Sequence, residues 1–263
     1  MHLITPASPA EAQALATQWG SKAVFVAGGT IVQQAWTGPR LAPDDQCFIN
    51  LMAWPETQQI SVDDQYLVLG AQMRLEDVRT HPLAQVHAPL LCTALTQLGA
   101  LGIRRIGTLG GNICWGVGDT GPVLLVLDAQ VLLANGSWQP LVDVLQRPTL
   151  PLMLAFRMLR TDKQPALHTA FEKVGYRAAF TPARVRVAMR WSRAERGTAL
   201  SHAAAGAPGT PIRRLRHLEQ HMAQAENSCT LASIRAACAQ DLPMPLALMV
   251  SRLVAGHCGV LKA

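Results

Sequence analysis

The stretch that decides how this chain reads runs Arg104-Arg105-Ile106-Gly107-Thr108-Leu109-Gly110-Gly111-Asn112-Ile113-Cys114-Trp115-Gly116-Val117-Gly118-Asp119-Thr120-Gly121-Pro122, then Val123-Leu124-Leu125-Val126-Leu127-Asp128. With Gly99 and Gly102 just upstream it is dense in glycine, yet apolar residues fence it on both sides. That combination marks ordered backbone, not a flexible linker. Glycine permits positive φ and lets the main chain come close to a bulky group. A glycine run held between a helix and an apolar segment therefore predicts a ligand laid against peptide. A smaller copy of the same chemistry stands earlier, at Ala27-Gly28-Gly29-Thr30.

Composition bounds what the ligand and the partners can be. At 263 residues, with 49% hydrophobic and 15% charged content, the chain can bury a full core and is expected to divide in two. Its longest uninterrupted aliphatic run, Val123–Leu127, is far too short for a membrane span. The start, Met1-His2-Leu3-Ile4-Thr5-Pro6, has no basic or apolar signal region, so the cytoplasm is the expected location. Six cysteines without a Cys-x-x-Cys spacing speak against zinc or iron–sulfur ligation and predict reduced thiols. The net charge of +6 suits an acidic partner protein or an anionic ligand. Scattered arginines, with two Tyr and five Phe for stacking, argue against nucleic acid.

Local signals place the glycines on a scaffold. Ser8-Pro9-Ala10-Glu11 is a capping box with proline at the first helical position, and Ala12, Leu15 and Trp19 share one face before Gly20. Ala23–Ala27 reads as a short strand running into Gly28-Gly29-Thr30, with a helix expected from Ile31 to Trp36. Amides at such a turn are unpaired and suit an anionic phosphate. Cys47–Leu51 reads as a strand, and Ile60–Val62 with Tyr66–Leu69 as a hairpin; together they are expected to extend one mixed sheet. Pro89 opens a helix carrying Leu91, Leu95, Leu98 and Leu101, loosened by Gly99 and Gly102. Asp119 or Thr120 caps a brief helix at Pro122, and Gln130–Ala134 is a strand closed by Asn135-Gly136.

Beyond about Pro148 glycine thins and arginine rises, which places a boundary near residue 160. Val185, Val187, Met189 and Trp191 alternate with Arg184, Arg186, Ala188 and Arg190, the pattern of a strand with one buried face and one basic, wet face. That face reads either as a solvated edge or as a docking strip for an acidic subunit. Helices are expected from Pro211, from Thr230 and from about Leu246. Gly116-Val117-Gly118-Asp119-Thr120-Gly121 matches the dinucleotide fingerprint letter for letter, but it lacks the preceding strand, the long helix and the distal acidic residue that make that site. No Gly-x-x-x-x-Gly-Lys loop is present.

Three blocks taken in order resemble one family. They are Val26–Thr30, Ile103–Asn112, and Gly118-Asp119-Thr120-Gly121-Pro122 through Asp128-Ala129; Phe171–Arg177 and Ala205–Arg213 add looser matches. The chain resembles the FAD-binding medium subunit of the molybdenum hydroxylases, the xanthine dehydrogenase, carbon monoxide dehydrogenase and aldehyde oxidoreductase family. The resemblance implies an α+β fold: a two-subdomain, PCMH-like FAD-binding domain over residues 1–160, followed by a small C-terminal sheet-plus-helices domain over 161–263 like that of carbon monoxide dehydrogenase flavoproteins. It also implies site residues. Phe25, Val26, Ala27, Gly28, Gly29, Thr30, Ile31 and Val32 would wrap the flavin diphosphate. Thr108, Gly110, Gly111 and Asn112 would close over it, Asp119 would bind a ribose hydroxyl, and Lys173 would approach from the C-terminal domain. Leu152 or Met153 would border the flavin ring. Taken by themselves, Asp119 reads equally as a helix cap and Lys173 as a surface lysine.

The implied partners are a large subunit with the molybdopterin cofactor and a small subunit with two 2Fe–2S clusters, with NAD, quinone or oxygen as acceptor. The chain departs from the family pattern in several places. The segment between Asn112 and Asp119 is shorter, Gln146–Leu154 is abbreviated, Thr181 replaces a common aspartate, and a tyrosine–arginine pattern is missing near Met249–Arg252. The shortened segment motivates a second reading, a divergent scaffold of the same complex that has lost FAD; a third is a stand-alone flavin oxidoreductase of the same broad fold.

Overall fold

Parallel pairing sets the first of three sheets. The computed structural model describes residues 1–36, 42–164, 166–177, 183–194, 197–224 and 229–261; Thr181 lies outside them. Strands β1 (His2–Ile4), β2 (Ala23–Val26) and β3 (Cys47–Asn50) form a parallel sheet in the order β1-β3-β2. Helix α1 (Pro9–Trp19) crosses between β1 and β2. The Glu11 N–H donates to Ser8 Oγ at 3.2 Å, the Glu11 carboxylate accepts from Ala7 N–H at 2.6 Å, and Gly20 at φ +54° ends the helix. Ala12, Cys47, Ile49 and Trp54 close a small core beneath it.

The second sheet is antiparallel. It consists of β4 (Ile60–Val62), β5 (Tyr66–Gly70), β6 (Gln130–Leu133), β7 (Trp138–Pro140) and β8 (Met153–Leu159), ordered β4-β5-β8-β6-β7. Asp63 Oδ1 accepts from the N–H groups of Gln65 and Tyr66 at 2.8 and 2.6 Å, which sets the hairpin turn. The expectation of one mixed sheet is corrected here. β3 has β1 on one edge and β2 on the other, so the hairpin cannot pair with it, and β5 pairs with β8 in a separate sheet.

Between β5 and β6 lie α2 (Leu75–Thr80), α3 (Pro82–His87), α4 (Pro89–Thr96), α5 (Leu101–Ile106), α6 (Leu109–Cys114) and α7 (Thr120–Val126); α8 (Leu141–Val144) precedes β8. The helix read as running from Pro89 through Leu101 is two helices, because Gly99 takes φ +47° and α5 starts afresh. Every residue of α7 is buried.

Strands β9 (His168–Gly175), β10 (Ala183–Ala194), β11 (Gly197–Ala207) and β12 (Thr210–Arg214) form a third, antiparallel sheet, followed by α9 (Arg216–Gln224), α10 (Leu231–Asp241) and α11 (Met244–His257). Pro211 sits in β12 and does not open a helix; α9 begins at Arg216. Thr230 and Ser233 make a reciprocal capping box for α10. Val185, Val187, Met189 and Trp191 face the C-terminal helices, as the alternation predicts.

The opposite face of β10 is not wet. Arg186 is 4% exposed and Arg190 7%, because α7 lies across the sheet on that side; among the arginines of this pattern, only Arg184 is exposed. Small residues let the helix approach: Ala188 and Ala204 belong to the same core as α7, and a side chain on Gly121 would meet Ile212 Cγ2 at 3.3 Å and Cδ1 closer still. Among the described residues no helix is long and apolar enough to cross a membrane.

Candidate functional site

The first glycine pair sits where the predicted strand–turn order puts it. β2 ends at Val26, the chain turns through Gly28 and Gly29 at φ +66°, and one 3-10 turn, Val32–Ala35, follows in place of the expected longer helix. Gly28 lies flat on the backbone of the second glycine stretch. A Cβ there would press on the Ile106 carbonyl oxygen, with the Ile106 carbonyl carbon at 2.8 Å and Gly107 Cα at 2.9 Å. Two remote segments are thereby in van der Waals contact through bare peptide. The Gly107 carbonyl accepts from Leu75 N–H at 3.0 Å, and the Arg74 guanidinium donates to the Ile106 carbonyl, so the receiving backbone is pinned from its other side. The N–H groups of Gly28, Gly29, Thr30 and Ile31 donate to no acceptor among the described residues.

The second pair differs from the expected bare bend. Gly110 and Gly111 lie in the first turn of α6, where Thr108 Oγ1 accepts from Gly111 N–H at 3.1 Å and the Thr108 carbonyl accepts from Asn112 N–H at 2.9 Å. Leu109 N–H donates to Met73 O at 3.0 Å and Gly110 N–H to Ala71 O at 2.7 Å. These amides are already satisfied. Gly110 is small because it packs on Ala71, whose carbonyl oxygen would stand 3.0 Å from an added Cβ. The buried Asn112 side chain accepts from Thr120 N–H at 3.1 Å and Thr120 Oγ1 at 2.7 Å, and Gly118 folds tightly over it, welding the short Trp115–Asp119 loop back onto α6.

A cleft of about 330 Å³ opens between the two segments. From the predicted set it is lined by Phe25, Ala27, Gly28, Gly29, Thr30, Ile31, Val32, Thr108, Gly111 and Asn112. Leu75, Leu98, Ile103, Gly107, Cys114 and Trp115 complete the wall. A second cleft of about 390 Å³ shares Phe25, Ala27, Gly111 and Cys114 with the first and continues to Gly110, Leu152, Met153 and Gln72. Gln72 lines this cleft, and its buried Oε1 has no hydrogen-bond partner among the described residues. Together the clefts form an elongated, mostly apolar trough with bare amides at one end, the shape a long two-part anionic ligand needs. Val26 itself lies in β2 and lines neither cleft.

Asp119 and Lys173 are brought together, but away from the trough. Lys173 Nζ reaches Asp119 Oδ2 at 2.6 Å and the Gln97 carbonyl at 3.0 Å, while Arg186 Nε donates to Asp119 Oδ1. Asp119 is 3% exposed and makes no capping hydrogen bond to α7. One carboxylate against two cations leaves a net positive charge. The Arg186 guanidinium lies 6.0 Å from the Trp115 ring, so that charge stands beside the trough wall. Arg186, Gln72 and Trp115 were not read as site residues. The alternation around Arg186 signals two faces but not which is covered, and nothing local marks Gln72 or Trp115.

Residues 1–150 match the family model described as the FAD binding domain in molybdopterin dehydrogenase. The chain is 28% identical over 117 residues to the nicotinate dehydrogenase FAD-subunit of Eubacterium barkeri, covering 42% of this chain and 38% of that one. It is 32% identical over 122 residues to the carbon monoxide dehydrogenase medium chain of Hydrogenophaga pseudoflava, covering 46% and 42%. The matched stretches thus span about two fifths of each relative's length. The fold extends further. A chain of the Hydrogenophaga pseudoflava carbon monoxide dehydrogenase that lacks the Mo-pyranopterin moiety of its cofactor superposes with a TM-score of 0.76 at 20% identity, over 95% of this chain and 93% of that one.

Proposed function

This chain belongs to the family of FAD-binding domains of molybdopterin dehydrogenases, and from that premise we propose that it is the FAD-carrying electron-transfer subunit of a multisubunit molybdenum-dependent oxidoreductase. The observation that carries the reading is the trough with four unpaired amides, Gly28 through Ile31, held open where Gly28 meets Gly107. Those amides would hold the diphosphate, and Thr108, Gly111 and Asn112 would form the facing wall. Charge-assisted hydrogen bonds contribute about 1.5–3 kcal/mol each. Four of them reach roughly the 8 kcal/mol of micromolar binding without an arginine clamp.

The rest of the trough suits the flavin end. Leu152 and Met153 would cover apolar ring surface, and the orphan Gln72 Oε1 would accept a ring N–H. When bound, FAD supplies one- and two-electron redox chemistry, joining iron–sulfur donors on a small subunit, and through them a molybdopterin subunit, to NAD, quinone or oxygen. Asp119, Lys173 and Arg186 act as a brace whose surplus positive charge favours an anion in the adjacent cleft. We take residues 1–160 as the FAD-binding domain and 161–263 as the C-terminal domain.

One observation favours the scaffold alternative: the α6 amides and both Asp119 oxygens already have protein partners. Purification decides between the two. A yellow chain that releases FAD on denaturation supports the proposal, and a colourless chain that cannot be reconstituted but still assembles with molybdenum and iron–sulfur subunits overturns it.

A further inference from the structure

A cleft of about 450 Å³, larger than either part of the flavin trough, opens where β10 passes the junction of α3 and α4. At its wall sits Arg190, 7% exposed, one of the arginines whose face the alternation pattern made wet. Its guanidinium donates to the Val126 carbonyl at 3.0 Å and to Gln164 Oε1 at 2.7 Å. Both acceptors are neutral. Among the described residues no carboxylate forms an ion pair with it, and nearby Asp128 is engaged by Arg214 at 2.8 Å and His202 at 2.7 Å. The contrast within the molecule is sharp: the other two buried arginines among the described residues, Arg186 and Arg214, each hold a carboxylate. Asp128 attracts Arg190 only from beyond contact and Arg214 opposes it, and a buried charge with no carboxylate in contact is costly, so its retention points to an anion that arrives from outside.

Three further features converge on the same space. His87, which also lines the cleft, has a buried Nδ1 that makes no hydrogen bond among the described residues, with Asp162 Oδ1 3.9 Å away and itself held by Arg160. Helix α4, eight residues long, begins here, and the helix N-terminus adds positive potential where Pro89 and Leu90 meet the cleft. Leu90, Leu127 and Leu167 make the remaining surface apolar. Burial also pushes the Arg190 guanidinium below its ordinary value, a cost that a bound anion would offset.

We infer that this cleft is a second ligand site, for a small organic anion whose carboxylate or phosphate head pairs with Arg190 and whose apolar body lies on Leu90, Leu127 and Leu167. It shares no lining residue with the trough beside Gly28, and the inference stands whether or not that trough holds FAD.

The test is calorimetric titration of the full chain with benzoate and, separately, with inorganic phosphate, beside the Gln164→Glu and Arg190→Met variants. Gln164→Glu places a carboxylate on the guanidinium and so occupies the position of the anion head. It should keep or raise the melting midpoint and leave FAD content unchanged, which separates lost binding from lost folding. Saturable binding of either probe by the wild type, weakened about thirtyfold or more in Gln164→Glu and in Arg190→Met, is the expected result. The tighter probe then identifies the head group as carboxylate or phosphate. No saturable binding of either probe, or undiminished affinity in Gln164→Glu, overturns the inference.

Discussion

Gly28→Ala adds one methyl group at the point where the two glycine segments touch, and its consequence can be worked from the contact itself. The new Cβ would lie 2.8 Å from the Ile106 carbonyl carbon and 2.9 Å from Gly107 Cα, closer still to the Ile106 oxygen, and all three are backbone atoms. Side chains cannot rotate away to relieve it. The Ile106 and Gly107 carbonyls are themselves engaged by Arg74 and Leu75, so relief has to come from displacement of the Gly28–Ile31 turn, by several tenths of an ångström to about 1 Å. Overpacking of this kind costs about 1–3 kcal/mol. If the turn's amides hold the diphosphate, that cost enters FAD affinity as a roughly tenfold to hundredfold rise in Kd. Fluorescence-quench titration of the apo chain with FAD measures it directly. Gly29→Ala is the control: at φ +66° it carries left-handed strain of about 1 kcal/mol, but an added Cβ meets only Val26 Cγ1 at 3.9 Å. A Gly28→Ala chain that binds FAD as tightly as wild type, or a Gly29→Ala chain that loses more, would refute the idea that close backbone contact shapes the site.

Asp119→Asn should destabilise the fold by about 3–5 kcal/mol, since it strands Arg186 and weakens the hold on Lys173 in a buried setting; urea unfolding will show it. A variant that loses FAD at unchanged stability would instead make Asp119 a ligand contact. Arg186→Glu places two carboxylates together at a 4%-exposed position, so it should prevent folding of the isolated chain, and a well-folded variant defective only in assembly would restore the docking-strip reading. The Glu76 carboxyl is held at about 2 by hydrogen bonds from Arg79 and Arg104. Because the folded value lies below the ordinary 4.5, its contribution is complete above about 4.5 and is lost as pH falls toward 2. Glu76→Gln should therefore be less stable than wild type at neutral pH, and the gap should narrow across that acid window in pH-dependent melting.

Local chemistry was legible in the sequence wherever neighbours along the chain settle the outcome. The Ser8 cap, the helix starting at Thr230, the hairpin turn at Asp63, and the strand leading into Gly28-Gly29-Thr30 each depend on contacts within a few residues, so residue type and spacing suffice. The family blocks also named much of the cleft wall: Phe25, the run from Ala27 to Val32, Thr108, Gly111 and Asn112. Other outcomes rest on atoms that only folding brings together. Asp119 finds its partners 54 and 67 residues away, and neither a cap nor a ribose contact describes what its carboxylate does in the folded chain. The second glycine pair looks like the first in sequence, yet Ala71 and Thr108 take its amides. Period-two alternation says that β10 has two faces; it carries no information on whether α7 will lie over one of them. Burial is a property of what packs against a residue, and that packing turned a strip of arginines from surface charge into a brace on one end and an unpaired cation on the other.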